Sequence, residues 1–118
     1  MEHNQELPVI LKCYEFTRWL YTKIKDFPRD LRFSLGQRIE SLMLDLLELL
    51  IEAKYSKDKQ GILNQVNTKI EVLRFQLRLA KDLKAFSEKT FWNSIEQLIE
   101  IGQQVGGWLK KSQSRSKE

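Results

Sequence analysis

The chain has 118 residues and a mass of 14.1 kDa, enough for one domain and too little for two ordinary ones. With 42% hydrophobic and 31% charged residues, only 5 Gly and 2 Pro, and a formal net charge of +4, it reads as a foldable, helix-favouring chain and not as a linker or tail. One histidine, His3, and one cysteine, Cys13, leave no parts for histidine-based acid–base chemistry, a multi-ligand zinc site or an internal disulfide.

Pro8 fits a first helical turn, and apolar residues then recur at Ile10, Cys13, Phe16 or Thr17, Leu20, Ile24 and Phe27, so a first helix is predicted over residues 8–26. Phe27-Pro28 is read as its stop, because the residue before proline is pushed away from helical geometry, and residues 29–33 as a connection. Ser34-Leu35-Gly36-Gln37 matches a capping box and is expected to open a second helix that runs to about Tyr55. Ser56 is the candidate N-cap of a third helix over residues 57–83, with Gly61 a weak point in its first turn. After the link Lys84-Ala85-Phe86, Ser87 caps a fourth helix with Phe91, Ile95, Leu98, Gly102, Val105 and Leu109 on one face. Residues 112–118 contain no apolar side chain and are expected to be disordered, which divides the chain into a domain at 1–110 and a basic tail at 111–118.

Links of a few residues force neighbouring helices to run antiparallel, so the expected fold is all-α, an up-down four-helix bundle. No run of alternating β-branched and polar residues competes with it. The longest apolar stretch, residues 42–51, is interrupted by Asp45 and Glu48 and is far short of the roughly 20 residues a membrane span needs. No charged-then-apolar leader precedes Leu7, and the cytoplasm is the expected location.

Two helices are more apolar than one bundle requires. On a wheel at about 100° per residue, helix 2 carries an apolar arc of roughly 220° that extends from Leu49 through Leu46 and Leu50 to Leu47, Ile51 and Leu44. Helix 3 has a core stripe of Ile62, Val66, Ile70, Leu73, Leu77 and Ala80, and a second stripe of Val72, Phe75, Leu79 and Leu83 on another side. Such excess fits a homo-oligomer interface at Leu44, Leu47, Ile51, Val72, Phe75, Leu79 and Leu83; the plainer reading is a central helix 2 and a second stripe covered by the connections. Gly102 and Gly106, four apart, either admit a close backbone neighbour or, with Gly107, end the helix. Trp19 and Trp92 read as core or interface fillers and Trp108 as a terminal anchor.

Asp45, Glu48 and Glu52 share a helical face, but di-iron bundles also need a Glu-x-x-His pair, and no histidine follows His3. A solvated or salt-bridged acidic face is the reading for them. There is no glycine-rich phosphate loop and no nucleophile motif, so neither an enzyme nor a cofactor is expected. The positive charge is uneven: residues 1–59 hold 10 basic and 10 acidic side chains, and residues 60–118 hold 10 and 6. Arg74, Arg78 and Lys81 form a ridge on helix 3, followed by Lys84 and Lys89. Residues 12–38 hold 7 basic and 3 acidic side chains, including Arg29, Arg32 and Arg38. One such ridge is usually just a solvated face, but repeated around a symmetry axis it would hold a polyanion by many phosphate contacts, with little reading of base edges.

Leu7-Pro8, Phe27-Pro28-Arg29, Arg32-Phe33-Ser34-Leu35-Gly36-Gln37-Arg38-Ile39, the run from Leu46 to Tyr55, Leu79-Ala80-Lys81-Asp82-Leu83, and Ile101-Gly102 with Gly106-Gly107-Trp108 together resemble one family. The chain is similar to the accessory variability proteins (Avd) of diversity-generating retroelements, within a broader four-helix-bundle family that includes the 23S rRNA intervening-sequence protein. The resemblance spans about residues 7–110 and is carried by structural motifs, not catalytic ones. It implies a homopentameric barrel with a basic surface, partnering the retroelement's reverse transcriptase and its template RNA or cDNA in mutagenic retrohoming. It also implies that helix 3 arginines, here Arg74 and Arg78, make nucleic-acid or polymerase contacts. The alternative is a scaffold oligomer of the wider family with no retroelement role.

Overall fold

Four helices, with no strand among the described residues, make up the computed structural model, which describes the backbone of residues 3–116 and the side chains of residues 8–114. Helix α1 is His3–Ile24. Helix α2 is compound: Arg29–Leu31 opens it, Arg32–Gly36 is a π-helical turn, and Gln37–Tyr55 continues as regular α-helix. Helix α3 is Lys59–Asp82 and α4 is Glu88–Ser116.

Several boundaries differ from the sequence reading. Helix α1 begins at His3, five residues ahead of Pro8, so this proline lies inside the helix and not at its first turn. Pro28 starts α2 instead of merely ending α1: its backbone is extended (φ −51°, ψ 144°), and its carbonyl accepts the first helical bond, from Arg32 N at 2.8 Å. Residues 29–33 are therefore helical and not a connection. Ser34 caps nothing, since its hydroxyl donates back to the Asp30 carbonyl at 2.8 Å from inside the π turn. At α3 the cap is Asp58 and not Ser56; the Asp58 carboxylate accepts from Gly61 N at 3.1 Å, and Ser56 Oγ accepts from Asp58 N. Ser87 caps α4 as expected, accepting from Thr90 N at 3.1 Å.

The last helix runs through Gly106 and Gly107, so these glycines do not end it. It continues to Ser116, through residues expected in the tail; Ser112 Oγ donates to the Trp108 carbonyl, and the Ser112 carbonyl accepts from Gln60 on α3. Residues 117 and 118 of that expected tail lie outside the described residues.

Packing follows the short turns. Each helix contacts its neighbours in the order α1, α2, α3, α4 and back to α1, which is a square antiparallel bundle with principal extents of 51 × 22 × 19 Å. Phe16 and Leu20 of α1, Ile39, Met43, Leu46 and Leu50 of α2, Leu63, Leu73 and Leu77 of α3, and Leu98 and Ile101 of α4 are fully enclosed. Each such side chain contributes about 1.5–3 kcal/mol by leaving water. Cys13 lies in this core with its carbonyl accepting from the Thr17 hydroxyl at 2.7 Å, and burial pushes its thiol pKa up to about 12.

Both ends of the bundle are tied. At one, Phe27 of the α1–α2 turn meets Phe86 of the α3–α4 turn edge-on at 5.0 Å, so the two turns sit together. Lys84 takes left-handed geometry there (φ 63°), and Ala85 N donates to the Ala80 carbonyl, satisfying the end of α3. At the other, the Lys59 ammonium donates to the Ala53 and Lys54 carbonyls at the end of α2 and lies 6.0 Å from the ring of buried Trp108.

Candidate nucleic-acid interface

The helix 3 ridge is built by regular spacing. On α3, Arg74 pairs with Glu71, Arg78 with Asp82 at 3.9 Å, and Lys81 with Asp82 at 4.0 Å while lying 4.9 Å over the Phe91 ring. The three ridge cations thus face two carboxylates on their own helix, Asp82 being shared by Arg78 and Lys81. Lys84 lies beyond the ridge, exposed in the turn.

The second basic cluster is at the α1–α2 corner and is not neutralised in this way. Among the described residues, Lys25, Arg29 and Arg38 are exposed and enter no ion pair. Arg32 is half-buried, with its guanidinium 4.6 Å over the Phe33 ring. Beside it a groove forms between the end of α1 and the start of α2, with Tyr21, Lys25, Arg32, Phe33, Gln37 and Glu40 in its walls. Gly36 lets the start of α2 pack closely on the end of α1, because a Cβ there would stand 2.8 Å from Ile24 Cγ2. Desolvation raises the Glu40 pKa, with Arg32 opposing the shift, and desolvation followed by the Glu40 charge raises that of Tyr21.

The expected second stripes are on the surface. Val72, Phe75 and Leu79 of α3 and Leu83 at its C-cap stand exposed, Phe75 at 64%, and are not covered by the connections. On α2, Leu44 (43%) and Ile51 (42%) are exposed, while Leu47 is half-buried against the core. Asp45 approaches Lys69 at 4.0 Å and so marks the α3 side of α2; at about 100° per residue Leu44, Leu47 and Ile51 fall on the α1 side. Lys12 pairs with Glu100 at 3.0 Å and marks the α4 side of α1, which places Tyr14 and Tyr21 on the α2 side.

One apolar face therefore spans the α1–α2 edge. The other combines the α3 stripe with exposed Trp92 and Ile99 of α4; Phe75 and Trp92 line a groove with Arg74 and Arg78. In a square bundle these two edges are opposite one another.

A family model described as bAvd-like matches residues 9–112. The chain belongs to the bAvd-like family. That span takes in both apolar faces, both basic clusters and most of all four helices. Comparison with curated proteins gives no match. In this bAvd-like chain the space over Gly102 and Gly106 is open among the described residues, with nothing within 4 Å of a Cβ placed at either, so no described residue uses the close approach they allow. Among the described residues no His, Cys, Asp and Glu side chains gather to hold a metal ion, and no helix is long and apolar enough to cross a membrane.

Sequence reasoning found Arg29, Arg32 and Arg38 but passed over Tyr21, Lys25, Phe33, Gln37 and Glu40. The adjacent pair Arg32-Phe33, a cation beside an aromatic residue off the core periodicity, was the available signal.

Proposed function

We propose that this bAvd-like protein is the non-catalytic accessory subunit of a diversity-generating retroelement. It binds the reverse transcriptase and template RNA or cDNA through its basic surface and supports mutagenic reverse transcription and retrohoming in the cytoplasm. Family membership over residues 9–112 carries this reading. The two unlike apolar faces on opposite edges support its assembly. A face that pairs with a different face gives head-to-tail contacts, which close into a ring when the rotation allows, whereas a two-fold dimer would use one face on both partners. Five copies closing a barrel is the number the Avd resemblance implies, and closure would bring the basic clusters of all copies around one axis.

The test is light scattering at micromolar concentration, followed by co-purification with a diversity-generating retroelement's reverse transcriptase and its template RNA. The expected result is a mass five times 14.1 kDa and retention of both partners. A monomer overturns the assembly. A ring that retains neither partner overturns the retroelement role and leaves the scaffold reading.

A further inference from the structure

The corner groove has chemistry that neutral packing does not require. Phe33 is 53% exposed and Tyr21 38% exposed, on the two helices that form the walls. Lys25 and Arg29 bring positive charge with no carboxylate partner among the described residues. Arg32, packed over Phe33, holds that ring on one side. The Glu40 carboxylate, the Gln37 amide and the Tyr21 hydroxyl make no hydrogen bond to any described residue, although burial already disfavours the charged form of Glu40. The Glu40 carboxylate is reached by water, so a ligand could exchange for that water without displacing a partner within the protein.

An aromatic surface, Lys25 without an ion-pair partner in the wall, Arg29 in the adjoining turn of α2, and polar groups open to a ligand suit a flat, hydrogen-bonding ring on an anionic chain. Stacking on aromatic side chains and a positive track for the backbone are how single strands are held, and a duplex keeps its base faces hidden. We propose that this groove takes one unstacked base of a single-stranded nucleic acid. The base lies against Phe33 and Tyr21, with its edge toward Gln37 and Glu40 and the flanking phosphates on Lys25 and Arg29. The proposal rests on the nucleic-acid-binding reading above and names the residues that receive the strand. The groove extends from Phe33, about 16 Å ahead of Leu44 along the helix, to Glu40, about 6 Å ahead of it, so an interface centred on residues 44–51 would meet the groove at its Glu40 and Tyr21 end and leave Phe33 open.

The experiment is fluorescence anisotropy with a short labelled single-stranded RNA, the same strand made abasic, and a duplex of the same sequence, over a range of salt. Wild type is compared with Phe33→Ala and with Lys25→Ala plus Arg29→Ala, with circular dichroism and light scattering on each. Phe33→Ala is expected to weaken binding roughly 5- to 100-fold at unchanged salt dependence, and the abasic strand to cost wild type a similar factor. The double variant should flatten the log–log salt slope by about 0.7 for each phosphate it no longer neutralises. Wild-type binding that is indifferent to Phe33, to the abasic change or to duplex formation overturns the groove and leaves nucleic-acid binding itself standing. Wild type that binds none of the strands overturns both. A Phe33→Ala variant that loses its assembly makes Phe33 an interface residue and ends the proposal.

Discussion

The α3 ridge and the α1–α2 corner look alike as lists of arginines and lysines, yet they present very different fields. On the ridge, helical spacing that aligns Arg74, Arg78 and Lys81 also aligns Glu71 and Asp82 with them, so three positive charges meet two carboxylates on the same helix, Asp82 being shared by Arg78 and Lys81. At the corner the chain turns, and Lys25 of the turn and Arg29 and Arg38 of α2 have no carboxylate within 4.0 Å among the described residues. Charge available to a partner depends on what is left unpaired, and by that measure the corner exceeds the ridge. The ridge instead borders exposed Phe75 and Trp92, which suits contact with protein.

The sharpest way to break this comparison is to charge the face beside the ridge. Phe75→Glu with Leu79→Glu is expected to reduce the assembly to its 14.1 kDa subunit in light scattering while circular dichroism shows the same helix content, because both side chains are exposed. A variant that keeps the assembled mass would show that this face is no interface.

Next in size is the exchange of roles between the clusters. Lys25→Ala with Arg29→Ala should weaken single-stranded RNA binding about tenfold near physiological salt, whereas Arg74→Ala with Arg78→Ala, starting from paired charges, should change it less than about twofold. Equal losses in a salt titration would restore the ridge to the binding surface.

Two glycines sharpen the contrast in stability. Gly36→Ala must push Ile24 aside from 2.8 Å and is expected to cost about 1–3 kcal/mol, read as a lowered denaturation midpoint. Gly102→Ala meets nothing within 4 Å and should stabilise the isolated subunit by up to about 1 kcal/mol through helix propensity, a gain best measured in the Phe75→Glu, Leu79→Glu background.

The smallest effect concerns Glu40. Its folded-state pKa is raised, chiefly by desolvation, so ionisation is harder in the folded than in the unfolded chain. Its contribution is therefore most favourable below the ordinary value of 4.5 and declines as pH rises through that value toward the raised one. Glu40→Gln should give a slightly higher melting temperature at pH 7 and none of that gain in acid. A gain that persists unchanged below the carboxylate range would assign it to packing.

Apolar periodicity was enough to place the four helices and the core residues, because burial on one side of a helix leaves a repeat that few local effects can erase. It also showed that helix 3 carries a second stripe, which the structure leaves exposed. The boundaries were harder, because the same residue serves opposite purposes: Pro28 ends one helix and begins the next, and Ser34 bonds backward to Asp30 where its sequence context suits a cap. The corner groove was illegible for another reason. Tyr21 and Glu40 line one groove across two helices that close together where Gly36 meets Ile24, and no periodic signal records that contact.

The solitary Cys13 has a practical consequence. Its sulfur is shielded inside the bundle and its proton is held tightly, so a thiol-specific dye should not reach it while α1 remains docked. Labelling must await an opening that detaches α1 from α2 and α4, and its rate becomes a clock for that event. Run on the assembly and on the charged-face subunit, the same clock would show how far neighbouring copies hold the first helix closed.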